Sequence, residues 1–401
     1  MWKKFKKLPS DLRGANRLAM DGLHAVIDLT ESTHQKIHRL MGLSKSGAKR
    51  TAGITGFVYK SIRSIASGVG YGVDQSLHVL SQPSEDAGQH FAAREKLVSG
   101  INGVFGDHLQ QSNNPLAIKM QLRKDGLALN QQQIAEQLNA SNGRLLIMVH
   151  GLCQSDLQWH RQQHDHGLAL AEDFGFSVIY LHYNSGLRVS ENGRAFAHLL
   201  ESVIGENEQV KSVAMLAHSM GGLVSRSACH YANEAGHTWL KPLEKLIFLG
   251  TPHHGAWLEK GGGWLDLILG KIPITSDFAG ITQVRSAGIR DLHHGNIIDE
   301  DWQRADRSAA LDDQRQPLPL PDHVTAYAMA ASSAQQANRV VESTVGDGLV
   351  SVNSALGRHK DMRFQLRFPQ QNQSLNYNLN HMDLLSSKAV YDTLKQWLSD
   401  L

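Results

Sequence analysis

The sequence predicts an α/β protein with a mostly parallel sheet, and three observations lead to this fold class. From Arg144 onward, short apolar segments with strand character alternate with amphipathic helical segments, as in a parallel sheet flanked by helices. One strand-to-helix junction, within 213–224, contains a serine followed by two glycines. Hydrophobic residues make up 41% of the 401 residues, which is ample for a packed core.

The predicted elements follow one another along the chain. A hairpin over 116–129, which turns at Lys124–Gly126, and a short helix over 131–139 come first. The predicted strands cover 145–149, 177–183, 213–217, 243–249, 324–329 and 364–368. The predicted helices cover 163–173, 191–204 and 220–232, and a last helix follows His381.

Composition divides the chain into three regions. Residues 1–80 are predicted to be a helical, basic N-terminal extension, and 81–115 a linker that contains Pro83. Residues 116–401 form the predicted α/β domain. The alternation of strands and helices stops within this domain over 256–321, and such an insertion above a sheet is a candidate lid.

Charge is distributed unevenly along the chain. Residues 1–60 contain 12 Lys and Arg against 4 Asp and Glu, a net charge of +8, whereas the whole chain carries +2. A basic arm is attracted to anionic surfaces such as lipid headgroups or nucleic acid. No zinc-ligand spacing, recognition helix or aromatic RNA-binding motif accompanies it, so no nucleic-acid partner is predicted. A solvated arm is the simpler interpretation, and peripheral contact with the inner face of a membrane is the alternative.

The same sequence favours a cytoplasmic location. Two cysteines, Cys153 and Cys229, provide no disulfide framework. The basic start of the chain is followed by Leu8-Pro-Ser-Asp and not by the apolar segment of a signal peptide. No apolar run approaches the roughly 20 residues of a membrane-spanning helix.

The junction Ala217-His218-Ser219-Met220-Gly221 has the pattern of a nucleophile elbow. The turn is so tight that positions two before and two after the serine must carry small side chains. A serine hydroxyl is a weak nucleophile and needs a base beside it. The elbow would also point the Met220 N–H at a developing oxyanion. An ordinary Ser–Gly turn between a strand and a helix is the alternative.

Later parts of the sequence contain an acid and a histidine in suitable order. Asp347 follows the strand predicted to end near Met329, and His381 follows the last predicted strand. His381 would take the serine proton, and Asp347 would hold the imidazole tautomer. The His150-Gly151-Leu152 turn after the first parallel strand would supply a second oxyanion donor, the Leu152 N–H.

Other residues compete for these roles. For the base, His253 and His254 precede the acid loop and fit the chain order poorly, so they are interpreted as turn or pocket-wall residues. For the acid, the alternatives are Glu342, Asp361 and Asp383, of which Glu342 is the most serious.

Three further groups of residues have a structural and a functional interpretation. His160, His164 and His166 could hold a metal, but no carboxylate or cysteine pattern completes a site, and a polar surface is favoured. Cys153 is interpreted as a small pocket wall, because a cysteine nucleophile there would lack the elbow. Trp264 and its leucine neighbours could contact an acyl chain or pack the lid.

Together these motifs resemble one family. The Val-His-Gly turn, Ala-His-Ser-Met-Gly-Gly, Gly-Thr-Pro-His-His-Gly, Gly-Asp-Gly-Leu-Val and Asn-His-Met-Asp are similar to the bacterial triacylglycerol lipase and GPI inositol-deacylase-like branch of the α/β-hydrolase superfamily, over about 144–401. The resemblance implies an α/β-hydrolase fold, the triad Ser219, Asp347 and His381, and an oxyanion hole formed by Leu152 and Met220. It also implies a carboxylic ester substrate, either a small molecule or a lipid, and no cofactor.

The chain departs from secreted members of this branch, which carry a signal peptide and often a bound Ca²⁺ or a disulfide. No calcium ligands match, and no metal site is predicted. An intracellular serine esterase that works through an acyl-enzyme is therefore the leading hypothesis. The alternatives are an acyltransferase with the same triad and a non-catalytic, membrane-tethered module with a hydrolase-like fold.

Overall fold

The computed structural model describes residues 13–21, 87–205, 207–256, 286–303, 313–337 and 346–399. The chain divides into two units, one formed by Met1–Phe91 and Leu109–Ala117 and the other by Ala92–His108 and Ile118–Leu401. In the first unit, helix α1 covers 13–21, and the side-chain amide of Asn114 donates a hydrogen bond to the Gly14 carbonyl at 3.0 Å.

The other helices of the described residues are α2 (Ala87–Gln111), α3 (Gln131–Ala140), α4 (His166–Phe174), α5 (Val189–Ile204), α6 (Met220–Ala235), α7 (Ala287–His294), α8 (Asp299–Gln303), α9 (Val352–Ala355) and α10 (Lys388–Leu398). The strands are β1 (Gln121–Lys124), β2 (Leu127–Ala128), β3 (Arg144–Val149), β4 (Ser177–His182), β5 (Ser212–His218), β6 (Leu243–Leu249), β7 (Thr325–Ser332) and β8 (Gln373–Tyr377). Short 3₁₀ turns cover Asp156–Trp159, Thr238–Leu240, Gln370–Asn372 and Asp383–Leu385.

The eight strands form one sheet in the order β2-β1-β4-β3-β5-β6-β7-β8. β1 pairs antiparallel with both β2 and β4, and every other pair is parallel. Each connection between consecutive strands from β3 to β7 contains at least one helix. This is the α/β-hydrolase fold, a mostly parallel sheet flanked by helices, and the predicted fold class is confirmed.

Helices cover both faces of the sheet. Leu145, Ile147 and Val149 of β3 join the apolar cluster that includes residues of α3, α5 and α6. Leu146 and Met148 of the same strand join the opposite cluster, which includes residues of α4 and α10. Burial on both faces explains why the predicted strands are continuous apolar runs. Full burial of each such Leu or Ile stabilises the fold by about 1.5–3 kcal/mol.

One edge of the sheet gathers the loops that matter for function. The parallel strands β3, β5, β6, β7 and β8 run in the same direction, so the loops that follow them emerge at the same edge. Ligand sites of open α/β sheets lie at this carboxyl edge. His150, Ser219, Gly250, Asp347 and His381 all lie on loops that follow these strands.

The last strand differs from the prediction. Residues 364–368, predicted as a strand, pair with no neighbour in the sheet, and β8 lies instead at Gln373–Tyr377. The alternating apolar residues Phe364, Leu366 and Phe368 are buried without strand pairing. β8 is a half-buried edge strand with polar residues, so its sequence carries little strand signal.

Two predicted regions are only partly described. Helix α2 occupies most of 81–115, where the sequence predicted a linker. Apart from α1, the predicted extension 1–80 lies outside the described residues, as do Trp264 and much of the candidate lid 256–321. The described parts of that insertion include α7 and α8. Among the helices that the structure describes, none combines the length and apolar character needed to cross a membrane.

Candidate active site

Ser219 lies between β5 and α6 in a strained conformation. Its φ is +55° and its ψ is −127°, a region that residues other than glycine rarely adopt. Such strain costs about 1–3 kcal/mol and persists only where the surroundings impose it. The Ser219 N–H donates to the Leu249 carbonyl at 2.9 Å, which ties the turn to β6. The sharp strand-to-helix turn predicted for the elbow is therefore present.

Close packing explains the small residues of this turn. A Cβ atom built on Gly221 would lie 2.4 Å from the Val149 carbonyl oxygen and 2.6 Å from that of His150. A Cβ built on Gly222 would lie 2.0 Å from the Thr251 hydroxyl. Only glycines let α6 begin this close to the ends of β3 and β6. Ala217 is buried and its methyl group is accommodated.

Asp347 and His381 are brought together by two loops. The imidazole Nδ1 of His381 lies 2.7 Å from Oδ2 of Asp347, and both side chains are 1% exposed. The other carboxylate oxygen accepts hydrogen bonds from the N–H groups of Leu349 at 3.0 Å and Val350 at 2.8 Å. The His381 N–H donates to the Asp347 carbonyl at 3.0 Å. The acid is thus fixed on one side and faces the imidazole with the other.

The second imidazole nitrogen of His381 is available. Within the described chain, His381 Nε2 and Ser219 Oγ are both buried and make no hydrogen bond. Because Nδ1 faces a carboxylate, the proton is assigned to Nδ1, which leaves Nε2 as an acceptor. A Cβ built on Gly250 would lie 3.2 Å from the His381 ring, so this glycine makes room for the imidazole.

The loop after β3 passes directly beside Ser219. A Cβ built on Gly151 would lie 2.9 Å from the Ser219 Cβ. The Gly151 N–H donates to Oε1 of Gln154 at 3.0 Å, which closes the loop. Among the described residues, the N–H groups of Leu152 and Met220 take part in no hydrogen bond outside their own elements. Both donors remain available for a ligand.

Two further histidines surround this group in neutral form. Burial lowers the pKa of His150 to about 4, and burial together with nearby His381 holds the pKa of His218 well below its usual range. His150 stacks on Tyr183, whose hydroxyl donates to the His150 carbonyl at 2.8 Å. The His218 Nε2 lies 3.2 Å from the His381 carbonyl oxygen. These neighbours fix the backbone without adding charge, and the sequence alone did not identify these contacts.

The competing residues are placed elsewhere. His253 lies 3.3 Å from Arg226 and does not contact Asp347. Asp361 pairs with exposed Arg363 at 2.6 Å, and Asp383 accepts a hydrogen bond from the Asn380 N–H within its own turn. Glu342 lies outside the described residues.

The candidate metal ligands and the cysteine do not form the sites for which they were considered. The His164 Nε2 lies 2.8 Å from the His166 Nδ1, whereas His160 is exposed. Because His166 begins α4, the three histidines do not share a helical face. Burial raises the pKa of the Cys153 thiol to about 12, so the thiol stays protonated and a poor nucleophile.

One buried group elsewhere contains donor types that bind metals. Glu95, Asp156 and His182 place a ligand atom each within 4.8 Å of one another. Arg123 lies among them, 2.5 Å from Glu95 and 3.2 Å from Asp156. The two nitrogens of His182 face different carboxylates, Nε2 at 3.9 Å and Nδ1 at 3.5 Å. A single ion could use only one of them, so the arrangement fits a charge network better than a metal centre.

This chain is similar to one family model and to several solved structures. A family model described as a domain of unknown function (DUF7379) matches residues 119–283. Among curated protein sequences, none matches this chain. The mature lipase BlEst2 of Bacillus licheniformis is 18% identical, with 64% of this chain and 92% of that chain covered and a TM-score of 0.43.

Two other solved structures are similar at the same level. A lipase-esterase related protein from Clostridium acetobutylicum is 14% identical, with 65% of this chain and 96% of that chain covered and a TM-score of 0.36. A thermophilic esterase from Thermogutta terrifontis is 14% identical, with 65% and 91% covered and a TM-score of 0.35. The fold class is assigned from the strand order of this chain and not from these similarities.

Proposed function

We propose that this protein is a serine hydrolase that cleaves carboxylic esters through an acyl-enzyme on Ser219. The observation that carries the proposal is the buried Asp347–His381 pair. Nδ1 of His381 lies 2.7 Å from the carboxylate, and Nε2 has no hydrogen-bond partner among the described residues. The strained strand-to-helix turn at Ser219 belongs to the same edge of the sheet. A fold alone would not support a function, whereas this combination of side chains does.

The proposed reaction has two halves. Ser219 Oγ attacks the ester carbonyl carbon while His381 Nε2 takes its proton, and the resulting oxyanion accepts hydrogen bonds from Met220 and Leu152 N–H groups. The carbon–oxygen bond to the alcohol then breaks, and the alcohol leaves with the proton from His381. Water attacks the acyl-enzyme with His381 again as base. Collapse of this second tetrahedral intermediate releases the carboxylic acid, and His381 returns the proton to Ser219 Oγ.

The substrate class and the branch of the superfamily are part of the proposal. The motifs of residues 144–401 support the triacylglycerol lipase and GPI inositol-deacylase-like branch, and hence a small-molecule or lipid ester. Acyl transfer would use the same triad with an alcohol in place of water. The motifs do not separate these acceptors, but the products do.

Product analysis tests the proposal. We expect wild-type protein, supplied with p-nitrophenyl esters of increasing acyl length, to release one equivalent of free carboxylic acid for each p-nitrophenol. Added glycerol should not divert the acyl group. A product mixture dominated by glycerol esters would show that the protein is an acyltransferase and not a hydrolase. The absence of turnover with every ester would reject an active esterase.

A further inference from the structure

Helix α2 packs against the loop that contains Leu152, at a separation that leaves no room for a side chain. A Cβ built on Gly103 would lie 2.2 Å from the Sγ of Cys153, 2.9 Å from its Cα and 3.0 Å from its N. Cys153 directly follows Leu152, and its φ is +60°. Residues other than glycine adopt such a φ rarely, and then because the surroundings require it. The helix thus contacts the loop where its backbone is most constrained.

A second contact holds Cys153 through its backbone N–H. The Cys153 N–H donates to the hydroxyl of Ser185 at 3.0 Å. The loop that carries Ser185 also packs on α2, because a Cβ built on Gly106 would lie 1.9 Å from Oδ1 of Asn184. The Asn184 side-chain amide donates to the Gly106 carbonyl at 2.9 Å. Two glycines of α2 therefore allow the close contacts with Cys153 and with the loop whose Ser185 binds Cys153.

An ionic contact fixes the far end of the same loop. Glu95 of α2 lies 2.5 Å from Arg123, which lies 3.2 Å from Asp156 in the 3₁₀ turn that follows. All three side chains are buried, with exposed fractions of 3%, 5% and 2%. Breaking one member of such a buried group leaves an uncompensated charge. Helix α2 thus contacts Cys153 directly and reaches Asp156 through Arg123 of β1.

We propose that α2 positions the Leu152 N–H for the reaction, with Gly103 as the central positioning residue. This inference rests on the proposed function, because a donor contributes only if it lies 2.7–3.1 Å from the developing oxyanion. A displacement of about 1 Å in such a site costs about 10²-fold in rate. A methyl group on Gly103 must move either the helix or Cys153, and Leu152 moves with Cys153.

The test compares two glycine substitutions of similar steric severity. Gly103→Ala should lower kcat about 10- to 100-fold with KM changed less than about twofold, because the oxyanion donor acts in the transition state. Gly193→Ala is the control: a Cβ there would lie 2.1 Å from the Ser227 hydroxyl, at the α5–α6 contact and outside the loop. It should lower Tm and leave kcat near the wild-type value. Removing Sγ with Cys153→Ala in the Gly103→Ala protein should restore kcat by about threefold or more.

Several results would overturn the inference. Unchanged kcat in Gly103→Ala would do so, as would equal losses of kcat and Tm in both glycine variants. Should Gly103→Ala fail to fold, Glu95→Gln, which adds no volume, takes its place. A fall in kcat at constant KM then supports positioning, and unchanged kcat rejects it. Wild-type turnover separates the two proposals, since its absence rejects the proposed function and the inference with it.

Discussion

Ester turnover is expected to fall about 10⁶-fold in kcat when Ser219 is replaced by alanine, because a methyl group cannot form the proposed acyl-enzyme. Cys153 is an alternative nucleophile on the adjoining loop, but burial raises the pKa of its thiol to about 12. The measurement is steady-state hydrolysis of a p-nitrophenyl ester by purified protein, with the fold checked by circular dichroism.

A matched control keeps this substitution interpretable. Ser225→Ala removes another buried hydroxyl from α6, one that donates to the Gly221 carbonyl at 2.8 Å. We expect it to retain kcat within a few-fold, since a single neutral hydrogen bond contributes only about 0.5–1.5 kcal/mol to stability. Turnover by a folded Ser219→Ala protein at more than a few per cent of the wild-type rate would contradict a Ser219 nucleophile.

Asp347→Asn is expected to lower kcat about 10⁴-fold while the protein stays folded. The carboxylate Oδ2 faces His381 Nδ1 at 2.7 Å, and an amide there could donate to Nδ1 and stabilise the tautomer with the proton on Nε2. That tautomer cannot take the Ser219 proton. Steady-state kinetics at several pH values would show the loss in kcat at every pH.

Asp361→Asn is the control for the acid. Asp361 was also a candidate in the sequence, but it pairs with exposed Arg363, whereas Asp347 is the carboxylate that faces His381. Its replacement should leave kcat unchanged. If instead Asp347→Asn kept full activity, the acid would have to be another carboxylate, and Glu342 would be the next residue to test.

Much of the fold follows from local pattern in the sequence. Strands β3 and β5 are buried on both faces, so their apolar runs stand out against the helices that flank them. The edge strand β8 was mislocated because half-buried polar residues carry no such signal, while Phe364 and Phe368 mimic strand alternation in an unpaired segment. Alternating burial of this kind can show the period of a strand without strand pairing.

The residues of the candidate site were locatable for a similar reason. Ser219, Asp347 and His381 each follow a strand, and parallel strands bring the following loops to one edge. The contacts that hold the loop after β3 were not foreseeable, since Ser185 binds the Cys153 N–H through tertiary packing, 32 residues away in the chain.

Helix α2 is the clearest case of an element that the sequence pattern did not predict. Pro83, Ser84 and Gly88 suggested a linker at 81–90, within the predicted linker region 81–115, and Gly103 and Gly106 lower the helix propensity of the remainder. Those glycines are required by the close contacts with Cys153 and Asn184, which lie 50 or more residues away in the chain. Only the folded structure shows why a helix would accept the cost of glycine at these positions.

The most direct test of the account is labelling of the intact protein with a fluorophosphonate probe, followed by peptide mapping. Such probes phosphonylate only a serine that is activated as a nucleophile. We predict one adduct on Ser219 in the wild-type protein and none on the Ser219→Ala protein. An unlabelled wild-type chain that is folded would contradict a working Ser219–His381–Asp347 triad and leave a non-catalytic module as the better description. An adduct on any other residue would also contradict this triad and would assign the nucleophile to that residue.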